Sequence, residues 1–254
     1  MSSIQPGYDQ LPAELQSHLE RFAADLNEAV GKDLLSVAVY GPPAKGDPVN
    51  VGTTPVPVVV VLEDASVDSL SKIADTVQRA VESFHATPFV ISLHDLQTST
   101  DIFPIKFLDM QTSHLLLTGR DVLSELDIST QHLRLRCEQE LCNLMLRLRN
   151  VFLRNAGNDD ALRQAVGFGI APFFAALGAA VSLETGLTPI SHAEIADSAA
   201  NVLALDHGVL SRLLDFDPSG GAPVELAQLF NDFISIVESA ANFVDRLDGE
   251  SVTG

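Results

Sequence analysis

Apolar positions follow two different regimes along the chain. In the first half, helical and strand periods alternate. Leu15, Leu19, Phe22, Leu26 and Val30 recur every three or four residues, which predicts an amphipathic helix, and Gly31 ends it. Leu34–Tyr40 (LLSVAVY) and Val56–Leu62 (VPVVVVL) are short apolar runs rich in β-branched residues and predict buried strands. Ser66 predicts the N-cap of a second helix, with Leu70, Ile73, Val77, Val81 and Phe84 facing inward. Pro88–Leu93, Ile105–Leu108 and His114–Thr118 predict three further strands. Strands interleaved with helices imply a layered α/β or α+β domain.

From about Ser129 the strand period disappears. Leu133, Cys137, Leu141, Leu144, Leu148 and Val151 form one helical stripe. A second apolar helix is predicted over about Asp160–Leu183, followed by a turn at Gly186–Ser191. Short helices are predicted near Ala193–Leu203 and Gly208–Leu214, then a loop at Pro218–Pro223. The last helix starts at about Val224 and points Leu226, Leu229, Phe233, Ile236, Val237, Ala240 and Phe243 or Val244 inward. These elements predict a bundle of four or five helices. The boundary near Leu126–Thr130 divides the chain into an α/β domain, 1–128, and a helical domain, 129–254.

Ala165–Leu183 carries no charge and is long enough to span a bilayer. It is rich in Ala and Gly, contains Pro172, and lacks basic flanks and a Trp/Tyr belt. A helix buried within the bundle is therefore expected, and no membrane partner.

The 254 residues contain 15 Lys+Arg and 34 Asp+Glu, a formal charge of −19. So acidic a surface disfavours non-specific nucleic-acid binding and repels anionic lipid. Cys137 and Cys142 are too few for a disulfide scaffold or a structural zinc site, and are expected to fill core. The first ten residues, MSSIQPGYDQ, contain no basic stretch leading into an apolar run, so the cytoplasm is the expected compartment.

The most informative stretch is Leu35–Asp64. A strand ends in Gly41, a short segment with Lys45-Gly46-Asp47 follows, and a loop leads into a second strand. This stretch, with the order of elements around it, resembles the nucleotidyltransferase superfamily in its bacterial form with a C-terminal helical bundle. The resemblance implies an α+β fold: a mixed sheet with flanking helices, followed by an all-α bundle. In that family the first strand ends in Gly-Ser and an Asp-x-Asp opens the next strand. Those carboxylates hold magnesium ions that stabilise the attacking and leaving oxygens of an in-line transfer. The Gly-Ser turn offers N–H groups and a hydroxyl to the phosphates.

This chain departs from that pattern. The serine position is Pro42, which has neither hydroxyl nor N–H. Asp-x-Asp would fall at Pro55-Val56-Pro57 or Thr54-Pro55-Val56, and no charged residue lies between Asp47 and Glu63. Candidates for the family's third carboxylate are Asp95 and Asp109, the latter on the strand predicted at Ile105–Leu108; Lys106 puts a cation nearby. Glu63 and Asp64 are adjacent, so they point to opposite faces at the far end of their strand. Asp47 alone cannot assemble a two-metal site.

Other patterns are weaker. Arg79 and His85 have ribonuclease-like spacing but sit on a helix of the first domain. Gly167 and Gly169 lie within an apolar helix and are expected to permit close packing. Charge is unevenly distributed: −11 over 1–128, +2 over 129–163 and −10 over 164–254. The basic island is the helix carrying Arg134, Arg136, Arg147, Arg149 and Arg154.

The resulting expectation is a catalytically inactive nucleotidyltransferase-like protein with a binding or regulatory role and no cofactor. A nucleotide or small anion would meet Gly41, Lys45, Gly46, Arg134 and Arg136 in a cleft between the domains. One alternative is an active, magnesium-dependent nucleotidyltransferase using displaced carboxylates Asp47, Asp64 and Asp109. Another is a structural subunit whose bundle forms a homo-oligomer interface.

Overall fold

The computed structural model describes residues 7–220 and 225–247. The chain forms two compact units, Met1–Ile128 and Ser129–Gly254.

The first unit contains α1 (Ala13–Val30), β1 (Leu34–Tyr40), β2 (Val56–Leu62), α2 (Val67–Phe84), β3 (Ala86–Ser92), α3 (Leu93–Thr98), α4 (Pro104–Thr112) and β4 (His114–Gly119). Its mixed sheet has the order β3-β2-β1-β4. β2 and β3 are parallel, joined by the crossover helix α2, and the other two pairs are antiparallel. Alternate side chains feed two cores. Val37, Val39, Val58 and Val60 pack with Leu15, Leu19 and Phe22 of α1 and Ile73 and Phe84 of α2. Ala38, Val59 and Val61 pack with Phe107 and Met110 of α4 and with Val122, Leu123 and Leu126 beyond β4. β2 is covered on both faces, which is why it reads as an unbroken apolar run.

Three expectations change. Ile105–Leu108 is not a strand; it lies in α4, where Pro104, Phe107 and Met110 are buried at helical spacing. Pro104 occupies the first turn, where its missing N–H costs nothing. A four-residue apolar window is too short to separate a period of 2 from one of 3.6. Secondly, the short helix α3 follows β3 directly, with Ser92 accepting from the Asp95 N–H as its cap. Thirdly, α2 is rotated: Ile73, Thr76, Ala80 and Phe84 face inward, while Leu70 and Val81 are exposed.

The described residues of the second unit form five helices and no strand: α5 (Thr130–Arg154), α6 (Asp159–Thr185), α7 (His192–Val202), α8 (His207–Leu214) and α9 (Leu226–Arg246). Side-chain caps fix three starts, with Asn158 on α6, a Ser191–Glu194 capping box on α7 and Asp206 on α8. The expected loop at Pro218–Pro223 runs in part outside the described residues, as does Val224.

α6 passes through Pro172 and buries Phe173, Phe174, Leu177 and Ala180. Among the described residues it is the one helix long and apolar enough to cross a membrane, and 56% of its most apolar window is buried within the chain. Gly169 explains how closely it packs. A Cβ there would sit 2.8 Å from the Phe233 ring of α9. Cys137 donates to the Ala176 carbonyl of α6 at 3.1 Å, and burial pushes its thiol up to about 12, so it is inert core.

Candidate functional site

The site expected from the sequence lies where β1 ends and β2 begins. β1 delivers Tyr40 and then Gly41, whose φ of 70° reverses the chain at a value that favours glycine. A single 3₁₀ turn, Pro42–Lys45, follows and closes at the left-handed Gly46. Pro42 sits at the start of this turn, where a missing N–H is tolerated.

The turn satisfies itself. Ala44 and Lys45 donate to the Gly41 carbonyl at 3.0 and 3.1 Å, Gly46 to Pro43 at 3.4 Å, and Asp47 to Pro42 at 3.0 Å. Pro42 and Pro43 have no N–H to give. The backbone donors that would cradle a phosphate after Gly41 are therefore missing or already engaged.

Side chains from two elements meet above this turn. The Lys45 ammonium pairs with the Asp109 carboxylate of α4 at 2.5 Å, with Lys45 only 8% and Asp109 25% exposed. Tyr40 lies close to the same carboxylate. Burial first, and the Asp109 charge second, push its phenol up to about 12. Alternation along β2 puts Pro57 on the face shared by Val59, Val61 and α4. Its ring lies 3.5 Å from where a Gly41 Cβ would be. One turn before Asp109, Lys106 rests its ammonium 3.7 Å from the centre of the Phe89 ring, and burial lowers its pKa.

No protein-family model matches the chain, and no curated protein matches its sequence. Among solved structures it is similar to a spectinomycin adenyltransferase from Enterococcus faecialis, determined with ATP and spectinomycin. The identity is 11% and the TM-score 0.51, over 91% of this chain and 98% of that one. The fold is nucleotidyltransferase-like.

The divalent metal that a nucleotidyltransferase-like fold implies would need carboxylate donors at the start of β2. Prolines stand at 55 and 57. The Asp109 carboxylate reaches the turn from α4, and its charge is met by Lys45; Asp47, just after Gly46, is the other acid at the turn. No group of three or more His, Cys, Asp or Glu among the described residues is placed to hold a metal ion. This donor set does not fit a two-metal centre.

The other sequence candidates are held elsewhere. Asp95 bonds Ser92 at the start of α3. Asp64 accepts from the Ser66 N–H at the entrance to α2, and Glu63 is exposed beside it. Asp47 follows Gly46 and donates its N–H within the turn. In the second unit Arg134 is buried, bonding Glu138 at 3.0 Å and reaching the Val244 carbonyl of α9 at 3.4 Å. Arg136 pairs with Glu140 at 2.6 Å. Both arginines thus carry a carboxylate from the next turn of their own helix.

Two features of the site were missed from sequence. The sequence marks Tyr40 only as the end of a strand. Lys45 and Asp109 were read for opposite roles, anion contact and metal ligand, and the fold joins them. Nothing in their local patterns signals the pairing; it depends on α4 being a helix.

One more network closes the first unit. His114 contacts the Met110 carbonyl through Nδ1 at 2.8 Å and the Asp121 carboxylate through Nε2 at 3.0 Å. Burial alone would raise the Asp121 pKa. Hydrogen bonds from Ser124 and the neighbouring His114 outweigh it, so the carboxyl lies below its ordinary value. Gln111 donates to the Leu126 carbonyl at 2.7 Å. These bonds hold Val122, Leu123 and Leu126 on the α4 side of the sheet.

Proposed function

We propose that this chain is a catalytically inactive nucleotidyltransferase-like protein with a binding or regulatory role, and that any nucleotide or small anion it takes is held without divalent metal. The observation that carries this reading is the Lys45–Asp109 pair. An internal ammonium meets the carboxylate, and prolines occupy the positions where metal-binding acids are expected. The engaged amides of the Pro42–Lys45 turn support the same reading, because a triphosphate would find no backbone cradle there. An anion at Arg134 or Arg136 would have to displace Glu138 or Glu140. An active enzyme using Asp47, Asp64 and Asp109 is disfavoured, since Asp64 lies at the opposite end of β2 from Gly41, about 20 Å away at the rise of a strand.

Calorimetric titration with ATP, GTP, CTP and UTP, with and without magnesium, tests the proposal. Heats that do not depend on magnesium are expected. Tight binding that requires magnesium contradicts it.

A second reading, a homo-oligomer through the bundle, is favoured by one observation. Leu135, Leu146 and Leu153 are exposed at intervals of about whole turns along α5. Sedimentation that gives a monomer removes this reading, and a stable dimer weakened by Leu146→Glu supports it.

A further inference from the structure

The outer side of the first unit holds a cavity unrelated to the Gly41 turn. It lies between α1 and α2, behind the core face formed by Val37 and Val58, and measures about 330 Å³. That is at the small end of the range for small-molecule sites.

Its walls are two helical stripes. His18, Arg21, Phe22 and Asp25 share one face of α1, and Thr76, Arg79, Ala80 and Ser83 share one face of α2. The helices are antiparallel here. At one end Asp25 and Thr76 hold the Arg79 guanidinium at 3.1 and 3.0 Å, so its charge and direction are fixed. At the other end His18 stacks on Phe84, with ring centres 5.8 Å apart, and Phe22 meets Phe84 edge-on at 6.0 Å. The floor is the His18 ring and the small Ala80, set over the buried Phe22 and Phe84.

Two charges remain open in this cavity. Arg21 and Glu82 both line it, and no ion pair joins either one to another described residue. One wall thus offers a guanidinium and another a carboxylate, while the Arg79–Asp25 pair is neutral. The open charges sum to zero, and the surrounding unit is acidic at −11. A simple anion is repelled by that field. A molecule with both signs of charge and an apolar body matches the walls and the floor together.

We infer that the α1–α2 cavity binds a small zwitterion, an α-amino acid with an apolar or aromatic side chain. Arg21 receives the carboxylate, Glu82 receives the ammonium, and the side chain lies against the His18 ring, which the buried Phe84 backs. The binding would be independent of the Gly41 turn and of any metal.

Three probes test this on the full chain by calorimetry or by chemical-shift mapping. L-phenylalanine carries both charges, 3-phenylpropionate lacks the ammonium, and phenethylamine lacks the carboxylate. Saturable binding of phenylalanine is expected, with each truncated analogue weaker by about tenfold or more for its lost charge-assisted bond. Arg21→Gln should weaken phenylalanine by a similar factor and leave phenethylamine unchanged. Glu82→Gln should do the reverse, sparing 3-phenylpropionate. Both side chains are exposed on the cavity wall, so both variants should melt as the wild type does. Absence of saturable phenylalanine binding overturns the inference. So does equal binding of 3-phenylpropionate, which indicates a plain anion site, or unchanged phenylalanine binding in both variants.

Discussion

Lys45→Met is the sharpest perturbation of the first unit. It keeps an apolar stem of similar length and removes the ammonium. Asp109 is then left three-quarters buried with no cation against it. Removing one partner of a fully buried pair costs about 3–5 kcal/mol. Asp109 keeps some water, so a loss of roughly 2–3 kcal/mol is expected. Asp109→Asn strands the more deeply buried Lys45 and should cost at least as much, roughly 3 kcal/mol. The double variant removes both charges and should cost less than the sum, with a coupling energy of about 1 kcal/mol or more. At roughly 4 °C per kcal/mol for a unit of this size, each single change should lower Tm by roughly 8–12 °C. The assay is built into the sequence. There is no Trp, and the two Tyr, Tyr8 and Tyr40, both lie in the first unit. Tyrosine fluorescence therefore reports that unit alone. Singles that melt like the wild type, or a double variant that loses the full sum, would refute the reading of Lys45 and Asp109 as a buried, mutually stabilising pair.

Other outcomes follow from the same contacts. Tyr40 should ionise near 12 in an absorbance titration, well above the ordinary 10.0. Its neutral form is favoured in the folded chain, so this contribution is intact below pH 10 and is lost as pH rises towards 12; a phenol titrating normally would contradict the burial. Asp121 has a lowered carboxyl pKa, so its contribution is present above the ordinary value near 3.8 and fades as pH falls through the lowered one. Asp121→Asn should flatten that acid slope in urea melts, and an unchanged slope would remove the assignment. Gly169→Ala places a methyl group 2.8 Å from the Phe233 ring. Overpacking of about 1–3 kcal/mol should outweigh the gain of about 1 kcal/mol in helix propensity, and a stabilised bundle by circular dichroism would contradict it.

Where periodicity spans many residues, the sequence and the structure agree. α1, α5 and α9 carry apolar stripes over several turns, and β1 and β2 are apolar runs of strand length, so their assignments hold. Agreement fails where the signal is short. IKFL offers four residues, which fit a strand as well as the helix α4 that they form. On α2 the larger residues Leu70 and Val81 drew the inward face away from Thr76 and Ala80, because helix rotation is set by packing against α1 and the sheet. Pro42, Pro55 and Pro57 are read directly from the sequence, since each lacks a backbone N–H and carries neither hydroxyl nor carboxylate. The Lys45–Asp109 pair was not legible. It joins residues far apart in sequence, and its geometry exists only once α4 lies over the turn after β1. The α1–α2 cavity was equally invisible, because Arg21 and Glu82 look like ordinary exposed helix residues until the two helices are set side by side.

On the reading proposed above, prolines at 55 and 57 and the lysine that meets Asp109 leave no metal centre, so the chain transfers no nucleotide. The most direct test is transfer of label from α-labelled nucleoside triphosphates, with magnesium or manganese and a broad set of hydroxyl acceptors. The account predicts no transfer above the protein-free rate with any of the four nucleotides. Transfer from any of them that depends on divalent metal would contradict it.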